Sequence, residues 1–263
     1  MLKYLRRKIF LILGNLEYYF NLRNLSRFIP EKLNRNETYK YFLFHFYKYL
    51  PFKLVKHRLY FSKEKRGFGE DAFHSMWFYL FKLYKPINIL EIGVYRGQTL
   101  TLFTILSKLN KVDSNIFGLT PLDDSGDSVS DYIKINYEMD IIENFHYFGF
   151  ENPKIINTRS ESSEGTKFIK SRNWDLVYID GSHEYDDVKF DVNRVIKNLN
   201  YNGLLVIDDS SLFTDFNNVD FEKFRVKAFK GHEGPSKIFN ELLENNSLRF
   251  IIGVGHNNVF VKI

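Results

Sequence analysis

The sequence predicts an α/β fold: a Rossmann-like, doubly wound seven-stranded sheet with a C-terminal antiparallel hairpin, preceded by a helical amino-terminal region. Three observations carry this expectation. The apolar run Ile89-Leu-Glu-Ile-Gly-Val-Tyr-Arg-Gly97 breaks on two glycines directly into a helical pattern, which is how such sheets open a nucleotide-sized site at their carboxyl edge. Two further apolar runs end in acids, Trp174-Asp-Leu-Val-Tyr-Ile-Asp180 and Gly203-Leu-Leu-Val-Ile-Asp-Asp209, and between them Tyr185, Val188, Val192, Val195, Ile196 and Leu199 recur at helical spacing. A strand, a crossover helix and a strand within about 35 residues make a βαβ unit with parallel strands. The last two apolar runs, 248–254 and 258–263, are joined by Gly255-His-Asn-Asn258 and read as a hairpin.

The remaining elements follow in chain order. Pro30 and Pro51 divide the first 66 residues into three helical pieces. Residues 67–85 form a helix with Phe73, Met76, Trp77, Leu80, Phe81 and Tyr84 on one face, and Pro86 leads into the first strand. A helix over 96–109 carries Thr99 near its positive end, and a strand over 115–119 runs into a polar loop containing Asp123, Asp124 and Asp127. A helix over 132–148 and a strand over 154–157 come next. Asn202-Gly203 provides turn chemistry ahead of the strand that ends in the double aspartate. Residues 210–236 are a polar and aromatic insertion containing His232, and 236–243 a helix.

Composition sets the outer limits. The chain has 263 residues, 44% of them hydrophobic, enough for one sizeable core and an appendage. It has no cysteine, which excludes disulfides, thiolate catalysis and cysteine-based zinc sites. The early run Ile9-Phe-Leu-Ile-Leu13 is too short to span a bilayer and no small-residue cleavage site follows it; the expectation is a cytoplasmic protein, neither spanning nor secreted. Charge is divided unevenly: residues 1–66 hold 16 Lys or Arg against 4 Glu, and the remainder 21 basic against 28 acidic residues. Two regions with different tasks are therefore expected, 1–66 and 67–263. The basic, aromatic-rich first region reads either as a helical cap on the second or as a surface that rests on anionic lipid at the inner membrane or grips an acidic partner. Its aromatics do not interleave with glycines as in an RNA-binding sheet, so no nucleic-acid partner is expected.

The chemistry lies at the strand tips. Glu91 precedes the first glycine, whereas a dinucleotide fingerprint places its acid about twenty residues after the glycines. An acid at the strand tip suits a cationic or hydroxyl-bearing group, which favours S-adenosylmethionine over NAD. If the strands are neighbours, Asp180, Asp208 and Asp209 converge on one edge.

With these motifs placed, residues 73–263 resemble class I S-adenosylmethionine-dependent methyltransferases. More narrowly, the segments 89–99, 175–188 and 204–209 are similar to the family of macrocin-type sugar O-methyltransferases and cephalosporin hydroxylase-like proteins. The resemblance implies that Glu91, Gly93, Tyr95 and Gly97 border the methionine end of the cofactor, with Gln98 and Thr99 at a helix N-terminus that favours its carboxylate. It implies Ser160 at the adenine and Asp180 among both the cofactor-binding and the catalytic residues. Thr120 stands where the family has its ribose-binding acid, and Asp123 or Asp124 is expected to reach back instead. A divalent ion, Mg²⁺, is implied on Asp180, Asp208 and Asp209; the competing role for Asp180 and Asp209 is to cap loops and helices.

His183 and His232 compete as the base that removes the acceptor proton; the other histidines, His256 included, carry no signal. No Asn/Asp-Pro-Pro-aromatic motif of amino-group methylation is present, which supports an oxygen acceptor. The expected function is metal-assisted O-methyl transfer to a sugar or glycoside hydroxyl, the partner being a small molecule or glycan, with a homo-oligomer open. The rivals are a catechol or phenol acceptor, and a methyltransferase-fold protein without catalysis that attaches to membrane or partner.

Overall fold

The computed structural model describes residues 35–124, 126–127, 129, 132–217 and 229–263. The helical piece expected before Pro30 and residues 218–228 of the 210–236 insertion lie outside the described residues.

The chain enters through α1 (Arg35–Tyr49), α2 (Phe52–Phe61) and α3 (Asp71–Tyr84), and then alternates. β1 (Asn88–Ile92), α4 (Gln98–Asn110), β2 (Asn115–Thr120), α5 (Tyr137–Tyr147) and β3 (Lys154–Asn157) make the first half. The second half is α6 (Ser163–Ile169), β4 (Trp174–Ile179), α7 (Tyr185–Lys197), β5 (Leu199–Ile207), α8 (Glu233–Leu243), β6 (Leu248–Val254) and β7 (Asn257–Lys262). The seven strands lie in the order β3-β2-β1-β4-β5-β7-β6. β1 to β5 are mutually parallel and β7 runs antiparallel to both β5 and β6. Strand order reverses between β1 and β4, and the crevice at that switch point is where open α/β sheets take ligands.

Alternation along each strand divides the core. Ile89, Leu176, Tyr178, Leu204 and Val206 pack with α1 to α5 on one face. Leu90, Ile92, Val177, Ile179, Leu205 and Ile207 pack with α6, α7 and α8 on the other. Strands buried on both faces read as the continuous apolar runs seen in the sequence.

The first described helices belong to this same core. α1 buries Tyr39, Phe42, Leu43 and Phe46, and the Arg35 guanidinium lies over the rings of Phe239 and Phe250 while donating to Ser211 Oγ at 3.0 Å. Behind α2, His57 Nδ1 sits 3.0 Å from His74 Nε2, and His57 Nε2 sits 2.8 Å from Thr101 Oγ1. Burial holds both imidazoles well below their ordinary pKa. No helix among the described residues is long and apolar enough to cross a membrane.

Boundaries depart from the sequence expectation at several points; the helix expected from 67 begins at Asp71 and the one expected from 236 begins at Glu233. The helix expected over 132–148 begins at Tyr137, because Asn136 caps it by accepting from Met139 N at 3.0 Å. The short α6 was not anticipated; Ser162 caps it through Gly165 N, but seven residues show little periodicity. Asn202 and Gly203 fall inside β5 rather than ahead of it. Asn202 adopts φ 61°, and the pairing with β4 shifts register between Trp174–Leu199 and Leu176–Leu204, so the turn chemistry makes an irregularity within the strand.

Candidate active site at the carboxyl edge

Register decides which residues meet. Ile92, Ile179 and Ile207 occupy one rung across β1, β4 and β5, and the ladder continues one step further through Asp180 N to Ile92 O at 2.8 Å and Asp208 N to Ile179 O at 3.0 Å. Gly93, Asp180 and Asp208 are therefore neighbours at the strand tips. The strand ends approach so closely that a Cβ on Gly93, at φ 91°, would lie 2.1 Å from the Asp180 carbonyl oxygen. Only glycine fits that backbone. Gly97, at φ 76°, then turns the chain into α4 as its N-cap.

Glu91 lies buried beneath this turn. Thr99 Oγ1 and the Leu100 N–H donate to it, but burial outweighs them and, with Asp208 nearby, pushes its pKa up to about 8. Its Oε2 has no hydrogen-bond partner. A buried carboxyl with an unfilled oxygen facing a cavity is suited to a cationic ligand group. Gln98, expected at the cofactor, lines the cavity beside Thr99 and also holds the preceding loop: Gly69 N donates to its Oε1 at 3.3 Å, and a Cβ at Gly67 or Gly69 would collide with its side chain.

The acids of β4 and β5 do converge, with unequal roles. Asp180 is half-buried; desolvation and the charges of Asp208 and Asp209 push its pKa well up. Asp208 accepts from Tyr178 Oη at 2.8 Å, His256 Nδ1 at 2.8 Å and Asn257 Nδ2 at 2.7 Å. Asp209, at φ 49°, turns its carboxylate toward His183 Nε2 at 2.9 Å and His256 Nδ1 at 2.8 Å. These imidazoles offset the cost of its burial and hold its pKa below the usual carboxylate range. The same carboxylates raise His256 well above the ordinary imidazole value against the pull of burial.

His183 follows Asp180 on the loop into α7. Its backbone N–H and its Nδ1 both meet Asp127 Oδ2, at 2.6 and 2.7 Å. Burial lowers its pKa, but Asp209 and Asp127 raise it more, so the net shift is upward. The His232 ring lies 4.2 Å from the His183 ring, with Nε2 3.9 Å from Asp209 Oδ2. Burial and the neighbouring His183 lower its pKa.

Donors for a divalent ion are present, in a different grouping from the three aspartates. Ligand atoms within 4.8 Å of one another come from Asp208, Asp209 and His256, and from His183, Asp209 and His232. Asp180 is in neither group. Imidazole nitrogens beside carboxylate oxygens admit Mn²⁺ or Zn²⁺ as well as Mg²⁺.

Two cavities meet along this edge. One of about 430 Å³ is lined by Glu91, Thr99, Asp180, His183, Asp209 and His256 among others, with Phe68, Trp77, Tyr95 and Phe229 as apolar walls. The other, about 300 Å³, is lined by Thr120, Asp123, Arg159, Ser160 and Asp191. Gly93, Tyr132 and Gly181 border both. The expected adenine residue Ser160 and the expected ribose residue Asp123 thus share the second cavity. Asp123 is exposed there, while Thr120 is buried, its hydroxyl donating to Val94 O at 3.3 Å. Asp191 on α7, buried beside Ser160, has its pKa pushed up to about 7 by desolvation.

Sequence reasoning missed His256 and Asp127. The signal for His256 was topological: β7 pairs with β5 in the register Ile207–Asn258, which sets the β6–β7 turn beside Asp208. Asp127 sits in a polar loop crowded with acids, and no spacing singles it out.

Comparison with known proteins agrees with this geometry. Residues 90–210 match the family model described as a methyltransferase domain. No curated protein matches the chain. Among solved structures, the methyltransferase PaMTH1 of Podospora anserina, bound to S-adenosylhomocysteine, is 16% identical over 81% of this chain and 88% of that one, with a TM-score of 0.55. A putative caffeoyl-CoA O-methyltransferase from Staphylococcus aureus is 15% identical over 85% and 98%, with a TM-score of 0.59. An O-methyltransferase from Bacillus cereus in complex with S-adenosylhomocysteine is 9% identical over 81% and 91%, with a TM-score of 0.52. At these identities the likeness is one of fold. The family match and the strand-tip site together make the chain an enzyme of S-adenosylmethionine-dependent methyl transfer, built on the methyltransferase fold.

Proposed function

We propose that the protein transfers a methyl group from S-adenosylmethionine to a hydroxyl of a small acceptor held in the 430 Å³ cavity. The observation that carries the oxygen acceptor is His183, fixed at Nδ1 by Asp127 and presenting Nε2 beside Asp209 on the cavity wall. The cofactor's methionine end lies against Glu91 and the Gly93–Thr99 turn, and its adenosine end in the cavity of Thr120, Asp123 and Ser160.

A sulfonium methyl moves by direct displacement: the acceptor oxygen forms the new bond to carbon as the carbon–sulfur bond breaks, and the acceptor proton must leave. In this reading the acceptor hydroxyl takes the place of Asp209 at His183 Nε2, and Nε2 receives that proton. Asp127 keeps the Nδ1 proton in place and stabilises the imidazolium that results. Asp208 and Asp209, with His256, supply the donors for a divalent ion, which when bound polarises the acceptor hydroxyl. That assignment leaves His183 for the proton and Asp180 behind Asp208.

The acid-rich floor supports the sugar or glycoside acceptor inferred from the resemblance, since a vicinal diol can engage adjacent carboxylate-bound groups. The aromatic walls Phe68, Trp77, Tyr95 and Phe229 favour a second reading, a flat phenolic or catechol acceptor. A methyl-transfer assay with labelled cofactor against nucleotide sugars, glycosides and catechols tests both. Transfer to a hydroxyl, depressed by chelator and restored by Mg²⁺ or Mn²⁺, is the expected result. Full turnover in excess chelator would remove the metal from the mechanism. Cofactor binding without transfer to any hydroxyl acceptor would remove the oxygen acceptor.

A further inference from the structure

α2 buries Leu54, His57 and Phe61 against the domain and turns a different face outward. That face is basic and apolar at once. Phe52 is 73% exposed and Leu59 54%, and Lys53 and Lys56 stand exposed beside them, followed by Lys63. The helix contains no acidic residue. The surface continues onto the end of α5, where Tyr147 is 53% exposed, stacked on Tyr60 at 4.1 Å, with the Lys56 ammonium 5.8 Å away. Across residues 35–66 the sequence holds nine Lys or Arg against Glu37 and Glu64 alone.

A solvated helix face normally sheds large apolar side chains; one that keeps them among lysines has the composition of a helix lying in a bilayer interface. The rings and Leu59 would enter the headgroup boundary while the ammonium groups, on long apolar stems, meet lipid phosphates. A second copy of the chain is a poor occupant, because a two-fold contact through this face would set the same lysines against one another.

We propose that the outward face of α2, with the adjoining end of α5, is a docking surface for an anionic lipid bilayer. This does not rest on the identity of the methyl acceptor. It does have a bearing on it, since Arg66, Gly67 and Phe68, in the segment between α2 and α3, line the acceptor cavity.

The test is co-sedimentation of the full chain with vesicles of phosphatidylcholine alone and with phosphatidylserine added. Binding is expected only to the anionic vesicles and is expected to weaken as salt rises. Removing charge at Lys53 and Lys56 should weaken it about 25-fold for Lys53→Gln with Lys56→Gln, and further for the Glu pair, at about fivefold per lysine. Phe52→Ala should weaken it without changing its salt dependence. S-adenosylhomocysteine affinity, measured on the same samples, should be unchanged in every variant and certifies the fold; its absence in the wild type would count against the cofactor reading and not against this surface. No binding to anionic vesicles at low salt, equal binding to neutral ones, or full binding by the double variants would overturn the proposal, the last result placing any lipid contact elsewhere in the chain.

Discussion

Replacing Glu91 by glutamine separates the cost of an acid in the empty protein from its use in the loaded one. Glu91 has its pKa raised from 4.5 to about 8 by burial and by Asp208. The folded state therefore holds a proton that the unfolded chain has lost, so this group opposes folding increasingly as pH rises from 4.5 towards 8. At pH 7 the cost is about 3 kcal/mol, and below pH 4 it vanishes. Glu91→Gln keeps the shape without the titration, so the ligand-free variant should gain up to about 3 kcal/mol at pH 7, a rise in Tm of roughly 6–12 °C, and gain nothing at pH 4. The loaded protein should behave in the opposite way. A ligand ammonium or sulfonium near Glu91 favours the carboxylate, so binding at pH 7 should expel about 0.9 proton, falling to about 0.1 at pH 9. Calorimetry of S-adenosylhomocysteine binding in buffers of different ionisation enthalpy reads that number directly. In Glu91→Gln the proton release should disappear and the affinity should drop. A buffer-independent enthalpy in the wild type, or a variant that binds as tightly as the wild type without gaining stability, would refute the placement of the cofactor's cationic end at Glu91.

Two further predictions concern the same edge. Gly93→Ala forces a Cβ to within 2.1 Å of the Asp180 carbonyl oxygen at a φ of 91°, so strand tips must separate; thermal unfolding should show a loss of at least about 2 kcal/mol and titration should show cofactor affinity falling with it. Asp127→Asn removes the carboxylate that fixes His183 Nδ1 at 2.7 Å. Turnover should fall about 100-fold or more while S-adenosylhomocysteine affinity stays within about twofold. The rate of the wild type should rise with pH through the raised pKa of His183, since the imidazole must lose its proton before it can accept one, and in Asp127→Asn that limb should move to lower pH. An unmoved limb would show that Asp127 does not act through His183.

Much of this fold could be read because parallel strands buried on both faces leave an unmistakable trace: predominantly apolar runs such as 89–92 and 174–179, each stopped by an acid or a glycine. Glu91, Gly93, Asp180, Asp208 and Asp209 were legible for the same reason, as residues at the ends of such runs. What remained hidden was contact between elements distant in sequence. Nothing near His256 indicates that its ring will lie between Asp208 and Asp209, because that follows from β7 crossing the hairpin to pair with β5. Asp180 was legible as a strand-tip acid but not in the upward shift of its pKa, which depends on Asp208 and Asp209 lying beside it. α6 was overlooked because its start is set by one cap at Ser162 and its length gives periodicity little room.

The position of β7 also bears on how the protein is made. It is the last strand in chain order and yet lies inside the sheet, between β5 and β6. While the ribosome is still delivering residues beyond 243, β1 to β5 can already associate, but β5 then presents a raw edge to the cell. Asp208 at that stage lacks His256 and Asn257, and Asp209 lacks His256. The half-made sheet is thus both sticky at its margin and overcharged at its tip, and the arrival of one hairpin cures both faults in a single step. Nascent chains stalled short of residue 256 should accordingly be prime clients for chaperones, since the β6–β7 hairpin decides whether the strands made before it become an enzyme.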